Sequence, residues 1–106
     1  MKNIYTWAAQ PAKRTLTVAD LKAAKGKKKF TQVTANSNEE ADAAEKAGFD
    51  MIICQAKNVL KAREGSKHLF LTASLILNEY VTNEDIMRGA FKALENGADA
   101  VMTPRS

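Results

Sequence analysis

The chain is poor in the residues that usually staple or decorate a small domain. It has one cysteine, Cys54, and one histidine, His68, among 106 residues. A single thiol closes no intrachain disulfide, and no zinc-ligand spacing exists. Two prolines and five glycines exclude a collagen-like or low-complexity chain. No apolar run approaches the roughly 18 residues of a membrane span. Met1–Gln10 is broken by polar residues and lacks the apolar core of a secretory signal. The only glycine of KAREGSKH stands alone, so neither Walker nor dinucleotide-binding spacing is present. These absences predict a cytoplasmic protein in a reducing setting.

What remains is ordinary globular material, with 45% hydrophobic and 26% charged residues. Its length predicts one domain, residues 1–106, and falls short of the roughly 200 residues of a closed eight-stranded α/β barrel. Charge is unevenly spread. Residues 1–30 hold eight Lys/Arg against the single acid Asp20, a net +7, whereas the remainder holds eight against eleven, a net −3. Such a basic front suits phosphates or an acidic partner surface. The Lys25–Lys29 run lacks interleaved aromatics for stacking bases, so no nucleic-acid partner is expected.

Periodicity predicts alternating strands and helices. Residues 1–15 read as an irregular arm, pinned by Ile4 and Trp7 and interrupted by Pro11. Thr17 with Asp20, Ser37 with Glu40 and Thr82 with Asp85 each form a capping-box pattern ahead of a helical stripe. Strands are expected at Phe30–Ala35, Asp50–Cys54, His68–Ala73 and Ala98–Thr103. The continuous apolar run DMIIC suits a strand covered by helices on both faces. A short helix around Val59–Glu64 is expected to close at Gly65. Segments 44–53 (AEKAGFDMII) and 93–102 (ALENGADAVM) echo each other, with Gly48/Gly97 and Asp50/Asp99 in matching places. The glycines suit helix termination and the aspartates suit loop-amide binding at the N-terminal strand edge. The fold class is therefore α/β, a parallel βα repeat of four strands resembling half of a (β/α)8 barrel.

The segments TLTVADLKAAKGKKKFTQVTA, AEKAGFDMIIC, HLFLTASL and GADAV, in this order, resemble the first part of the ketopantoate hydroxymethyltransferase family. These enzymes are barrels of the phosphoenolpyruvate mutase/isocitrate lyase group. The resemblance runs from about Leu16 to Val101. It implies a transferase of pantothenate biosynthesis: an aldol-type transfer of a one-carbon unit from methylenetetrahydrofolate to a 2-oxo acid held by Mg²⁺. The family's metal-binding aspartates, however, fall on Ala56 and Ser74. Met102 and Pro104 stand at its Lys and Glu positions, and Asn36-Ser37-Asn38 replaces an aromatic-Asp-aromatic segment. Neither Mg²⁺ nor the folate is therefore expected as a cofactor of this chain, and hydroxymethyltransferase catalysis is in doubt. The alternative is a non-catalytic, degenerate half-barrel module for ligand binding or assembly.

Polar groups expected at the C-terminal strand edge are Asn36, Ser37, Gln55, Lys57, Ser74, Thr103 and Arg105, candidates for holding a small anionic 2-oxo acid. Lys57 and Arg105 would supply charge for a carboxylate or phosphate. Cys54 and His68 should lie at opposite edges, which disfavours a Cys–His nucleophile pair. Half a barrel leaves two strand edges open. That predicts a homo-oligomer or the front of a longer barrel, with no membrane partner.

Overall fold

A computed structural model of the chain describes residues 1–26, 29–76 and 79–103. It begins with an antiparallel hairpin, β1 (Lys2–Tyr5) and β2 (Pro11–Arg14), in place of the irregular arm expected for residues 1–15. Pro11 sits at the first position of β2, opposite Tyr5, where a strand tolerates the missing N–H. Helix α1 (Val18–Ala23) follows. Then come β3 (Gln32–Thr34), α2 (Asn38–Lys46), β4 (Met51–Gln55), α3 (Val59–Gly65) behind a 3-10 turn at Ala56–Asn58, β5 (Phe70–Ser74), α4 (Asn83–Glu95) and β6 (Ala100–Met102). The four later strands form one sheet in the order β3-β4-β5-β6, parallel throughout. Neighbours in sequence are neighbours in space, as in a (β/α) barrel, and four strands make half of one.

Local chemistry fixes the helix starts. Thr17 and Thr82 cap α1 and α4 with full capping boxes, Asp20 and Asp85 returning the bond to the cap backbone. Ser37 accepts from the Glu40 amide at the start of α2. Each such cap is worth about 1 kcal/mol. Gly48 and Gly97 follow α2 and α4 at φ 86° and 113°, a region that favours glycine. Gly65 works differently from the expected helix stop. It is the last residue of α3, and a Cβ there would lie 1.8 Å from the Asn38 carbonyl oxygen of α2. Its missing side chain is what lets the two helices touch.

The helices cover one face of the sheet. Ile52, Cys54, Leu71 and Ala73 point into a core with Ala41, Ala44, Val59, Ala62 and Ala93. The other side chains of β4, Met51, Ile53 and Gln55, are only half buried. The expectation that DMIIC is covered by helices on both faces is thus corrected: a strand with its second face turned to a barrel interior is just as apolar. Phe70 at the lower end of that face is buried, beside Ile4, Leu16 and Val18.

The N-terminal edge of the sheet is locked by a charge network. Asp99, just ahead of β6, receives Arg14 Nε at 3.0 Å, Arg63 Nη2 at 2.7 Å and the Leu71 amide at 3.0 Å. The remaining guanidinium donors reach carbonyls: Arg14 to Lys67 at 2.8 Å, Arg63 to Leu69 at 2.7 Å and to Gly97 at 2.8 Å. Burial pushes the Arg63 guanidinium down to about 10, with the charge of Asp99 pulling it back up, so it stays protonated at neutral pH. Asp50 plays the smaller, matching part before β4, accepting from the Thr31 amide at 2.8 Å and its hydroxyl at 3.1 Å. Both aspartates bind amides at the N-terminal edge, as their spacing suggests.

Removing the central carboxylate strands two buried cations. Asp99→Asn should lower unfolding free energy by about 3–5 kcal/mol. Asp50→Asn, at a half-exposed site, should cost about 1 kcal/mol. Urea midpoints at pH 7 read the difference, and equal losses would contradict a central role for Asp99. In the same assay, Gly65→Ala should cost more than 1 kcal/mol, because its contact is backbone that cannot swing aside.

Candidate functional site

In open and closed parallel α/β folds, ligands bind beyond the C-terminal ends of the strands. The sequence-derived candidates among the described residues lie toward that end, but the structure uses them unequally. Asn36, after β3, is occupied by the fold: its Oδ1 accepts from the Gln55 amide at 2.8 Å and from Asn58 Nδ2 at 3.2 Å. It ties the end of β3 to the end of β4 and to the 3-10 turn. Ser37 is spent on capping, donating to Glu40 Oε1 at 3.2 Å as well as accepting its amide. Neither side chain is poised as a freestanding binding group.

Gln55 and Ser74 are different. They end β4 and β5 and are register partners, and Ser74 in turn pairs with Met102 of β6. Both belong to the half-exposed set that alternates with the core residues, so they share the sheet face that the helices leave uncovered. Thr103 follows directly after β6 and is half buried. Gln55 and Ser74 therefore bring a pair of uncharged hydrogen-bonding groups to one rim, with Met102 as their neighbour on β6 and Thr103 one residue beyond it. Arg105 lies outside the described residues, as do Lys27 and Lys28 of the basic run.

Lys57 stands apart from Gln55 and Ser74. In the 3-10 turn after β4, its Nζ lies 3.3 Å from Glu79 Oε1 in an exposed pair. Such a pair is worth about 0–1 kcal/mol, so a ligand anion can compete for the ammonium. Lys57 also lines a groove of about 570 Å³ between the α3 segment and α4. Tyr80, Arg88 and Lys92 line the same groove. These three were not among the sequence candidates. Arg88 reads in sequence as half of an i,i+4 pair with Glu84, and that pair is present at 2.9 Å. Only the packing of α4 beside the turn shows that Arg88 and Lys57 face one hollow.

The resembled family's metal does not fit these residues. Mg²⁺ takes hard oxygen ligands, above all carboxylates. The two matching positions carry the buried methyl of Ala56 and the hydroxyl of Ser74. Among the described residues no group of three His, Cys, Asp or Glu side chains is placed to hold a metal ion.

Cys54 lies one residue before the rim but points into the core at 2% exposure. Burial pushes its thiol up to about 11, offset only in part by the charge of Arg63. His68 sits at the other end of the sheet, ahead of β5, with Nδ1 3.7 Å from Glu45 Oε1. The two therefore lie at opposite edges, as their strand positions implied.

No family model matches the chain, and no curated protein matches it. No helix among the described residues is long and apolar enough to cross a membrane.

The protonated, buried thiol gives a direct test. At pH 8 native Cys54 should react with a disulfide reagent at least tenfold more slowly than in the urea-unfolded chain, and its rate should climb with pH toward 11 as thiolate forms. Rapid native labelling at pH 8 would show an accessible, activated thiol instead.

Proposed function

We propose that this chain is a ketopantoate hydroxymethyltransferase-like half-barrel that binds a small 2-oxo acid at its C-terminal rim without a divalent metal. The observation that carries this reading is the pairing of Gln55 with Ser74 at the ends of adjacent parallel strands, on the face free of helices. Neutral donors at that place suit the oxygens of a 2-oxo acid. Lys57 lies two residues beyond Gln55 in the groove beside α4; released from its exposed pair with Glu79, its long side chain would swing toward the rim as the counter-charge for the carboxylate. The family resemblance supplies the ligand class.

The family's one-carbon transfer is not part of the proposal. An enolate needs a stabilising cation, and Ala56 and Ser74 replace the carboxylates that would hold it. Binding alone requires none of those groups. A reducing, cytoplasmic setting belongs to the same reading, consistent with a reduced, buried Cys54.

Calorimetry with 3-methyl-2-oxobutanoate tests the idea. The expected result is a binding heat of the same affinity in Mg²⁺ and in EDTA. Lys57→Met should weaken it roughly 10–100-fold, the worth of a charge-assisted hydrogen bond, while Lys61→Met on the exposed face of α3 leaves it unchanged. No heat under either condition, or heat only with Mg²⁺, would overturn the proposal.

A further inference from the structure

The sheet ends in two unlike edges. Beside β3 lies a recess of about 320 Å³, lined chiefly by Val33, Thr34, Ala43, Ala44, Ala47 and Phe49. Small side chains make this edge concave. The β6 edge instead presents large exposed side chains. On α4, Ile86, Ala90 and Ala93 face the core, and Asp85, Gly89, Lys92 and Asn96 face the groove toward α3. Helical spacing turns Met87 and Phe91 the other way, past β6. They are 59% and 47% exposed, and Trp7 stacks on Phe91 with ring centroids 5.6 Å apart. Met102, the register partner of Ser74, is 40% exposed on the helix-free face of β6.

The stacking of Trp7 on Phe91 also brings the hairpin turn to this side of α4. A recess at one edge and projecting apolar side chains at the other make each edge complementary in shape to the other and not to itself.

We propose that the β6 edge of one chain pairs with the β3 edge of a second copy, and the partner's β6 edge with the first chain's β3 edge. Two chains then close one eight-stranded parallel barrel. A two-fold axis along the barrel keeps every strand pointing the same way, so both new pairings are parallel like the three within each chain. Pairing β6 with β6 would leave both β3 edges open; the head-to-tail arrangement leaves none. Eight strands is also the number whose interior side chains can fill. The half-buried face with Met51, Ile53 and Thr72 becomes that interior, and Gln55 and Ser74 of both copies surround one mouth. The assembly does not depend on what binds there.

Native mass spectrometry and sedimentation velocity at micromolar concentration test this. The expected particle holds two chains of 11.6 kDa. Two substitutions at exposed positions probe the two edges, Met87→Glu on the β6 side and Ala43→Arg in the recess. Each alone should yield monomers with an unchanged far-UV circular dichroism spectrum. A wild-type monomer would overturn the proposal, as would a particle that grows past two chains. A dimer that survives either variant would also overturn it, because head-to-tail closure uses both edges at once.

Discussion

One carboxylate, that of Asp99, holds together parts of the chain that are far apart in sequence. It binds Arg14 at the end of the hairpin, Arg63 at the end of α3 and the backbone of β5, while heading β6 itself. Two guanidiniums on one carboxylate leave an excess positive charge in a poorly solvated place. The fold answers it with carbonyls, since Lys67, Ser66, Leu69 and Gly97 all accept from the two arginines. Such a network adds little net stability over a hydrocarbon substitute, but losing one member is expensive. Its effect is to fix where the hairpin docks and how α3 hangs from the sheet.

The network sits at the N-terminal edge of the sheet, whereas the charged groups described at the opposite rim are the capping carboxylates Glu40 and Asp85 and the exposed pair of Lys57 with Glu79. In barrels these two ends divide labour between stability and chemistry. Here the division is clear in the residues. The lower edge is crowded with salt bridges and amide-binding aspartates. The rim has Gln55, Ser74 and Thr103, with Lys57 to one side. Strand ends that carry neutral groups are better suited to holding an anion than to activating one through a metal.

Much of this was legible in the chain itself. The capping pairs at Thr17, Ser37 and Thr82 marked the helix starts because they depend on interactions three residues apart, and the Gly-x-Asp echo marked the junctions before β4 and β6 because the pattern repeats, although its aspartates bind residues 19 to 85 positions away. Signals of that kind survive in one dimension. What escaped was long-range or symmetric in appearance. Residues 1–15 show little alternation, and their hairpin is fixed by Arg14 reaching a residue 85 positions away. Gly65 looked like an ordinary helix stop, whereas its reason is the Asn38 carbonyl of another helix. At the rim, strand order alone located Gln55 and Ser74. That Asn36 and Ser37 are consumed by local bonding, and that Arg88 and Lys92 join Lys57, emerges only from packing.

The contact between Trp7 and Phe91 has a spectroscopic consequence. Trp7 is the chain's sole indole, and it belongs to the turn joining β1 to β2 while its neighbour belongs to α4. Intrinsic fluorescence therefore watches a single seam between hairpin and helix. It will register that seam loosening even when the parallel strands stay intact, so an emission trace and an amide-band trace of the same sample follow different parts of the molecule.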